Sequence, residues 1–70
     1  MHTNMTKLKT KIIERYTTQE AIADKIGINR STFYRKIRGD GKGFTIGEVH
    51  KIVEAVPLTY DEAWEIFLAM

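Results

Sequence analysis

The chain has 70 residues, of which 43% are hydrophobic and 29% are charged, and it contains no cysteine. This length fits one domain, and the lack of thiols excludes disulfide bonds, thiolate metal sites and a cysteine nucleophile. No apolar run approaches the roughly 20 residues that cross a bilayer, and residues 1–5 lack the apolar stretch of a signal peptide. We therefore expect a soluble cytoplasmic protein that is too short to enclose the dry pocket of a multi-step enzyme.

Charge is distributed unevenly along the chain. Residues 1–43 contain ten lysines and arginines against four carboxylates, whereas residues 44–70 contain one lysine against five, so the two parts carry +6 and −4. A basic region of this kind favours binding to a polyanion, and the acidic region is expected to face elsewhere.

Apolar residues at helical spacing indicate the first two helices. Leu8, Ile12 and Ile13 are expected to share the inward face of the first helix. Thr17 and Glu20 have the spacing of a capping box, which would open the second helix. That helix has a short apolar face and stops at a glycine, the residue that enters the left-handed conformation without strain. Its apolar residues are Ile22, Ala23 and Ile26, and the glycine is Gly27.

A third helix is predicted from Arg30 to Arg38, directly after a tight turn. Ile28 is apolar within the turn and is expected to plug the core, while Asn29 is a natural N-cap. Phe33 and Ile37 stand one turn apart and should face inward. The sequence thus predicts two short helices that are joined by a glycine turn over residues 18–39.

The rest of the chain predicts two more helices. Alternating glycines indicate a loop at residues 39–43. Capping boxes begin at Thr45 and Thr59, and Pro57 should stop the helix between them. Inward residues of the fourth helix are Val49, Ile52, Val53 and Val56, and the fifth, at 59–69, carries Ala63, Trp64, Phe67 and Leu68. We therefore predict a single all-α domain of five short helices over residues 1–70.

The polar residues of the third helix lie opposite its two apolar anchors. The small Ala23 at the crossing lets the second and third helices pack closely at a steep angle. The exposed stripe that results is cationic, rich in hydrogen-bond donors, and includes one aromatic ring. Arginine forks match guanine N7 and O6, and hydroxyl groups hold phosphates, so this stripe suits DNA. Its members are Arg30, Ser31, Tyr34, Arg35 and Arg38.

The segment from Thr18 to Gly39 resembles a known DNA-binding motif. Gln19, Ala23, Gly27, the NRST at 29–32 and the final Arg38-Gly39 are similar to the helix-turn-helix of phage Cro and repressor proteins, the XRE or lambda-repressor-like class. The resemblance covers nearly the whole chain, with one helix before the motif and two after it. Many family members have an apolar residue where Lys36 stands. The inward position is Ile37 here, as in a subgroup of small Cro-like regulators from phages of Gram-positive bacteria.

The resemblance implies a role for each matching residue. Gln19 would bind a phosphate at the start of the second helix. The base-contacting positions are Arg30, Ser31 and Arg35, and the phosphate contacts are Asn29, Thr32 and Arg38. Lys42 in the loop could add a contact to the DNA backbone, while Tyr34 could either contact the target or cover Arg38 or Lys25. In a dimer, two such helices would lie about 34 Å apart and read an inverted repeat.

Two functions follow from the resemblance. The first is a Cro-like transcriptional regulator that occupies operator DNA in the lysis–lysogeny switch. The alternative is an antirepressor, or modulator of repression, that binds the DNA-reading domain of the cognate phage repressor through the same surface, because arginines that suit phosphates also suit carboxylates. No pairing of nucleophile and base suggests catalysis, and neither His2 nor His50 has a second metal ligand nearby in sequence, so no cofactor or metal is expected.

The C-terminal segment is unusually apolar for a short helix. Residues Leu58 to Met70 contain more large apolar side chains than one helix face usually hides. An exposed remainder would mark an interface. We expect Trp64, Phe67 and Leu68 to mediate homodimerisation or docking on a partner.

Overall fold

The computed structural model describes residues 3–39 and 43–68, with side chains as far as residue 67. These residues form five α-helices and no strand, so the all-α prediction is confirmed for the described part of the chain. The helices are α1 (Met5–Glu14), α2 (Gln19–Ile26), α3 (Arg30–Arg38), α4 (Ile46–Ala55) and α5 (Tyr60–Ala63), and a π-helical turn (Trp64–Leu68) directly follows α5. No described helix has both the length and the apolar composition that a membrane span requires.

Two of the three predicted capping boxes are present. The Thr45 hydroxyl accepts from the Glu48 N–H at 3.1 Å, and the Glu48 carboxylate accepts from the Thr45 N–H at 2.9 Å. Thr59 and Glu62 form the same pair of hydrogen bonds at the start of α5. Each box satisfies two N–H groups that would otherwise lack a partner, and so fixes where the helix begins.

The third predicted box, between Thr17 and Glu20, is wrong. Thr18 is the N-cap of α2, and its hydroxyl accepts from the Ala21 N–H at 3.1 Å. The third helical position is therefore Ala21, which has no side chain that could reach back to the cap. Because Glu20 lies one position too early for this task, its carboxylate is free to interact with α3.

The core contains one face of each of the helices α1 to α4, together with residues of the π-helical turn that follows α5. Phe33 is fully buried at its centre and packs edge-to-face against Phe44, whose ring in turn packs against Phe67, with centroid distances of 5.6 and 6.4 Å. The buried residues are Met5, Leu8, Ile12, Ile22, Ala23, Ile26, Phe33, Ile37, Ile52, Val56, Leu58, Ile66 and Phe67. Phe33, Ile37, Ile52 and Val56 are thus inward as predicted, and Val49 and Val53 are half-buried against this core.

Two apolar residues are not where the sequence pattern placed them. Ile13 was expected to face inward, but it is 73% exposed, because the buried stripe of α1 runs through Met5, Leu8 and Ile12. Ile13 follows Ile12 by about 100° around the helix and so leaves this stripe. Phe67 was expected at an exposed interface, but it is only 5% exposed and belongs to the core.

The core also explains the lysine at position 36. Lys36 is half-buried, and its ammonium group lies 5.6 Å from the centroid of the Phe44 ring and 2.8 Å from the Glu48 carboxylate. Its aliphatic stem runs alongside Gly43. The charge therefore has two partners next to the core, while Ile37 occupies the buried position.

Candidate nucleic-acid interface

The turn between α2 and α3 fixes the relative orientation of the two helices. Gly27 has φ +79° and ends α2, and the Ile28 N–H donates to the Ala23 carbonyl at 3.1 Å. The Ile28 side chain packs against the core, as predicted. Asn29 then caps α3, because its side-chain oxygen accepts from the N–H groups of Ser31 at 2.8 Å and Thr32 at 3.4 Å. The predicted glycine stop and asparagine cap are both confirmed.

The capping geometry limits what Asn29 can offer a ligand. Its side-chain oxygen is already used by α3, so only its amide N–H groups remain as donors toward a phosphate. Thr32 lies half-buried beside it. Both residues stand at the N-terminus of α3, where the helix dipole favours an anion.

Helix α3 is held from beneath and presents its polar residues outward. Phe33 and Ile37 are buried, whereas Arg30, Ser31, Arg35 and Arg38 are exposed. The predicted exposure of these four residues is therefore confirmed. Ser31, Arg35 and Arg38 follow one another at intervals of four and three residues, and so form one continuous row along the helix.

Tyr34 has a partner on α2 that was not among those weighed from sequence. Its hydroxyl group lies near the Glu20 carboxylate, and their interaction lowers the pKa of the carboxyl group and raises the pKa of the phenol. The ring is half-buried. Tyr34 thus joins α3 to α2 through a carboxylate that the sequence pattern had assigned to a capping box.

Arg30 also reaches back to α2. Its Nε donates to Oδ1 of Asp24 at 3.1 Å and its Nη2 donates to Oδ2 at 2.6 Å, so the guanidinium and the carboxylate form a two-point fork. This hydrogen bonding lowers the pKa of Asp24 and raises the pKa of Arg30. Both side chains remain more than half exposed. The pair therefore lies on the surface that the sequence predicts as the binding face.

A shallow cleft of about 330 Å³ lies beside the row on α3. Gln19, Ser31, Tyr34 and Arg38 line it, so the structure brings together four of the predicted site residues. The other two lining residues are Ile37 and, from α1, Lys9. Lys9 was not predicted, although helical geometry could have indicated it. Lys7 and Lys11 share one face of α1, and Lys9 stands between them on another.

Ion pairs remove much of the charge contrast between the two parts of the chain. Lys7 pairs with Glu65, and Arg15 and Lys11 pair with Glu62 at 2.7 and 3.0 Å. In contrast, no described carboxylate lies within 4 Å of the charged groups of Lys9, Arg35 or Arg38. We call these three residues, together with Gln19 and Ser31, the open face.

The remaining predicted positions lie elsewhere. Lys42 is outside the described residues, as is the side chain of Leu68. Trp64 is 56% exposed and Tyr60 is 89% exposed. The exposed aromatic pair of the C-terminal segment is therefore Tyr60 and Trp64, and Phe67 makes no contribution to it.

Comparisons of the chain with protein-family models, with curated proteins and with solved structures gave no match. The resemblance to phage Cro and repressor proteins therefore stays an expectation from the sequence motif.

Proposed function

We propose that this protein is a DNA-binding transcriptional regulator of the lambda-repressor-like helix-turn-helix class, similar to phage Cro proteins, and that α3 enters the major groove of operator DNA. One observation supports this most strongly. Helix α3 is anchored by Phe33 and Ile37, and the open face contains three cations that have no described carboxylate within 4 Å. A binding surface for a polyanion needs unpaired cations on a rigid element.

The positions on the open face divide between phosphates and bases. Arg35 and Ser31 stand along the outer side of α3, where side chains of a helix in the major groove reach base edges. Lys9 and Gln19 line the cleft at the side of α3 and would meet phosphates, with Arg38 at the C-terminal end. Occupation of the operator would then block polymerase or a competing repressor.

A second candidate is favoured by a specific feature of the same surface. Asp24 and Glu20 bring two carboxylates next to Arg30 and Tyr34, so this side is mixed in charge. Phosphates repel carboxylates, whereas a protein surface with its own mixed charges can match them. We therefore keep the antirepressor function, in which the protein binds the DNA-reading domain of a cognate phage repressor, as the alternative.

Selection from a randomised duplex library, followed by fluorescence anisotropy with the selected duplex, tests the first proposal. We expect the wild-type protein to bind the selected duplex more tightly than random duplex. Arg35→Ala should reduce this preference about tenfold, because a good bidentate arginine–guanine contact contributes about 1–3 kcal/mol. Lys51→Ala is the matched control, because it removes an exposed cation from α4 and should change the preference little.

Binding of the same protein to an isolated repressor DNA-reading domain distinguishes the two candidate functions. Tight binding to an isolated repressor DNA-reading domain, together with no preference among duplexes, would support the antirepressor and contradict operator binding. Arg35→Ala alone cannot decide, since it weakens either complex.

A further inference from the structure

We infer that Asp24 is a positioning residue for sequence recognition: through its two-point contact with Arg30, it orients the guanidinium toward a guanine in the bound duplex. This inference rests on the proposed DNA-binding function. It assigns a specificity role to an acidic residue of α2, on a surface where the charge of a carboxylate opposes binding.

The chemistry of the fork supports this role. Asp24 accepts from Nε and from Nη2 of Arg30, at 3.1 and 2.6 Å, and so occupies one edge of the planar guanidinium. Arginine has five N–H donors, and both donors of Nη1 and one of Nη2 remain. One donor of Nη1 and the free donor of Nη2 point in parallel along a second edge of the guanidinium, which matches the N7 and O6 acceptors of guanine.

Arg30 stands at an exposed position where its side chain would otherwise be free to move. Arg30 is the first residue of α3, directly after the Asn29 cap, and its side chain is 57% exposed. An arginine with such freedom can meet a phosphate or a base in many rotamers. Asp24 lies on the neighbouring helix α2, which packs against α3, and Ala23 and Phe33 of these two helices belong to the same buried core. The contact therefore restricts the guanidinium to one plane and one direction.

The carboxylate of Asp24 should lower the overall affinity for DNA while it raises the preference for one sequence. Asp24 is more than half exposed, so its negative charge acts on any nearby phosphate. Removal of that charge should raise affinity for every duplex, whereas loss of the fork should lower the preference for the correct one. The two effects have opposite signs and can be measured separately.

The test compares Asp24→Asn with Glu20→Gln on the selected duplex, on the same duplex with each guanine replaced in turn, and on random duplex. Glu20 is one turn earlier on α2 and contacts Tyr34, so its variant removes the same charge but keeps the fork. We expect both variants to bind random duplex more tightly than wild type. Only Asp24→Asn should reduce the ratio of affinities for the selected duplex and the duplex lacking one guanine, by about three- to tenfold.

Arg30→Ala, alone and combined with Asp24→Asn, completes a double-mutant cycle that isolates the coupling between the two residues. In the Arg30→Ala background, the preference for that guanine should already be lost, and Asp24→Asn should change it no further. Equal loss of preference in Asp24→Asn and Glu20→Gln, or a loss that persists without Arg30, would overturn the positioning role. If wild-type protein discriminates sequences and Asp24→Asn keeps the full preference, the inference fails while the proposed function stands. If wild-type protein prefers no duplex, both are refuted.

Discussion

Helices α1 and α2 end in the same hydrogen-bonding pattern but with different residues at the critical position. After α1, the N–H groups of Tyr16 and Thr17 donate to the Ile13 and Ile12 carbonyls, at 3.0 and 3.1 Å. After α2, the N–H groups of Gly27 and Ile28 make the equivalent bonds. This is the Schellman arrangement, which requires a left-handed residue. Gly27 meets that need without strain, whereas Tyr16 adopts φ +58° with a side chain.

Replacement of Tyr16 by glycine should therefore stabilise the protein. A left-handed residue with a Cβ costs about 1–2 kcal/mol, and the extra freedom of glycine in the unfolded chain offsets about 0.5–1 kcal/mol of the gain. Tyr16 is 99% exposed, so its ring contributes no packing that would be lost. The net gain is about 0.5–1 kcal/mol, or about 2–8 °C in melting temperature for a domain of this size.

Gly27→Ala should cause a loss of similar size. A Cβ built at Gly27 meets no atom within 4 Å, so the cost is conformational and not steric. Tyr16→Gly combined with Gly27→Ala should return close to the wild-type stability, since the two ends share no hydrogen-bond partner.

Thermal and urea unfolding followed by circular dichroism provide the measurement. Tyr16→Ala is the control, because it removes the ring but keeps the left-handed strain, and it should leave the stability near that of wild type. If Tyr16→Gly is no more stable than Tyr16→Ala, the backbone at Tyr16 is not strained and the reasoning is refuted.

Three further predictions concern acid stability, the core and the exposed aromatic pair. The N–H of Thr59, followed by the cations of Lys11 and Arg15, lowers the pKa of Glu62 to about 2, so its contribution is full above pH 4.5 and is lost as the pH falls toward 2. Glu62→Gln should therefore be less stable than wild type at pH 7, and thermal melts should converge near pH 2. Phe33→Ala should cost about 3–5 kcal/mol and largely unfold so small a domain, whereas Phe33→Leu should keep the helical circular dichroism signal. Trp64→Ser should weaken any homodimer by about 2 kcal/mol in sedimentation equilibrium, and a wild-type protein that stays monomeric at every concentration would contradict an interface at Trp64.

Features that depend on residues within about four positions were predictable from the sequence. The stop at Gly27, the cap at Asn29 and the boxes at Thr45 and Thr59 are all of this kind. Each depends on a local requirement of the helix end, either an acceptor for free backbone N–H groups or a residue that adopts the left-handed conformation. One residue type meets each requirement much better than its neighbours.

Local patterns fail where two neighbours satisfy the same rule. Thr17 and Thr18 are both acceptable caps by residue type, and in the structure Thr18 takes the position. Ile12 and Ile13 both fit an apolar stripe, and only the position of Met5 relative to the core shows that Ile13 lies outside it. A shift of one residue in either case changes which side chains are available for function, as with Glu20.

Contacts between distant parts of the chain were beyond reach of the sequence. Arg15 pairs with Glu62, 47 positions away, and Lys36 pairs with Glu48. The charge split between residues 1–43 and 44–70 therefore overstates the polarity of the folded protein. The number of cations that can bind a polyanion depends on which of them form ion pairs in the fold, and the count of charges in the sequence does not give it.

That geometry predicts how strongly salt should weaken DNA binding. Each phosphate neutralised by a cation contributes about −0.9 to the slope of log K against log salt concentration. Lys9 and Arg38, the two cations placed against phosphates, together give about −1.8 per bound chain, and Lys42→Ala should make the slope shallower by about one unit if that residue adds a backbone contact. If all ten cations of residues 1–43 acted on DNA, the slope would instead approach about −9. Anisotropy titrations across a series of potassium chloride concentrations distinguish these values. A slope near −9 would mean that the ion pairs of Lys7, Lys11 and others open on binding, and a slope near zero would contradict phosphate contact and favour a protein target for the open face.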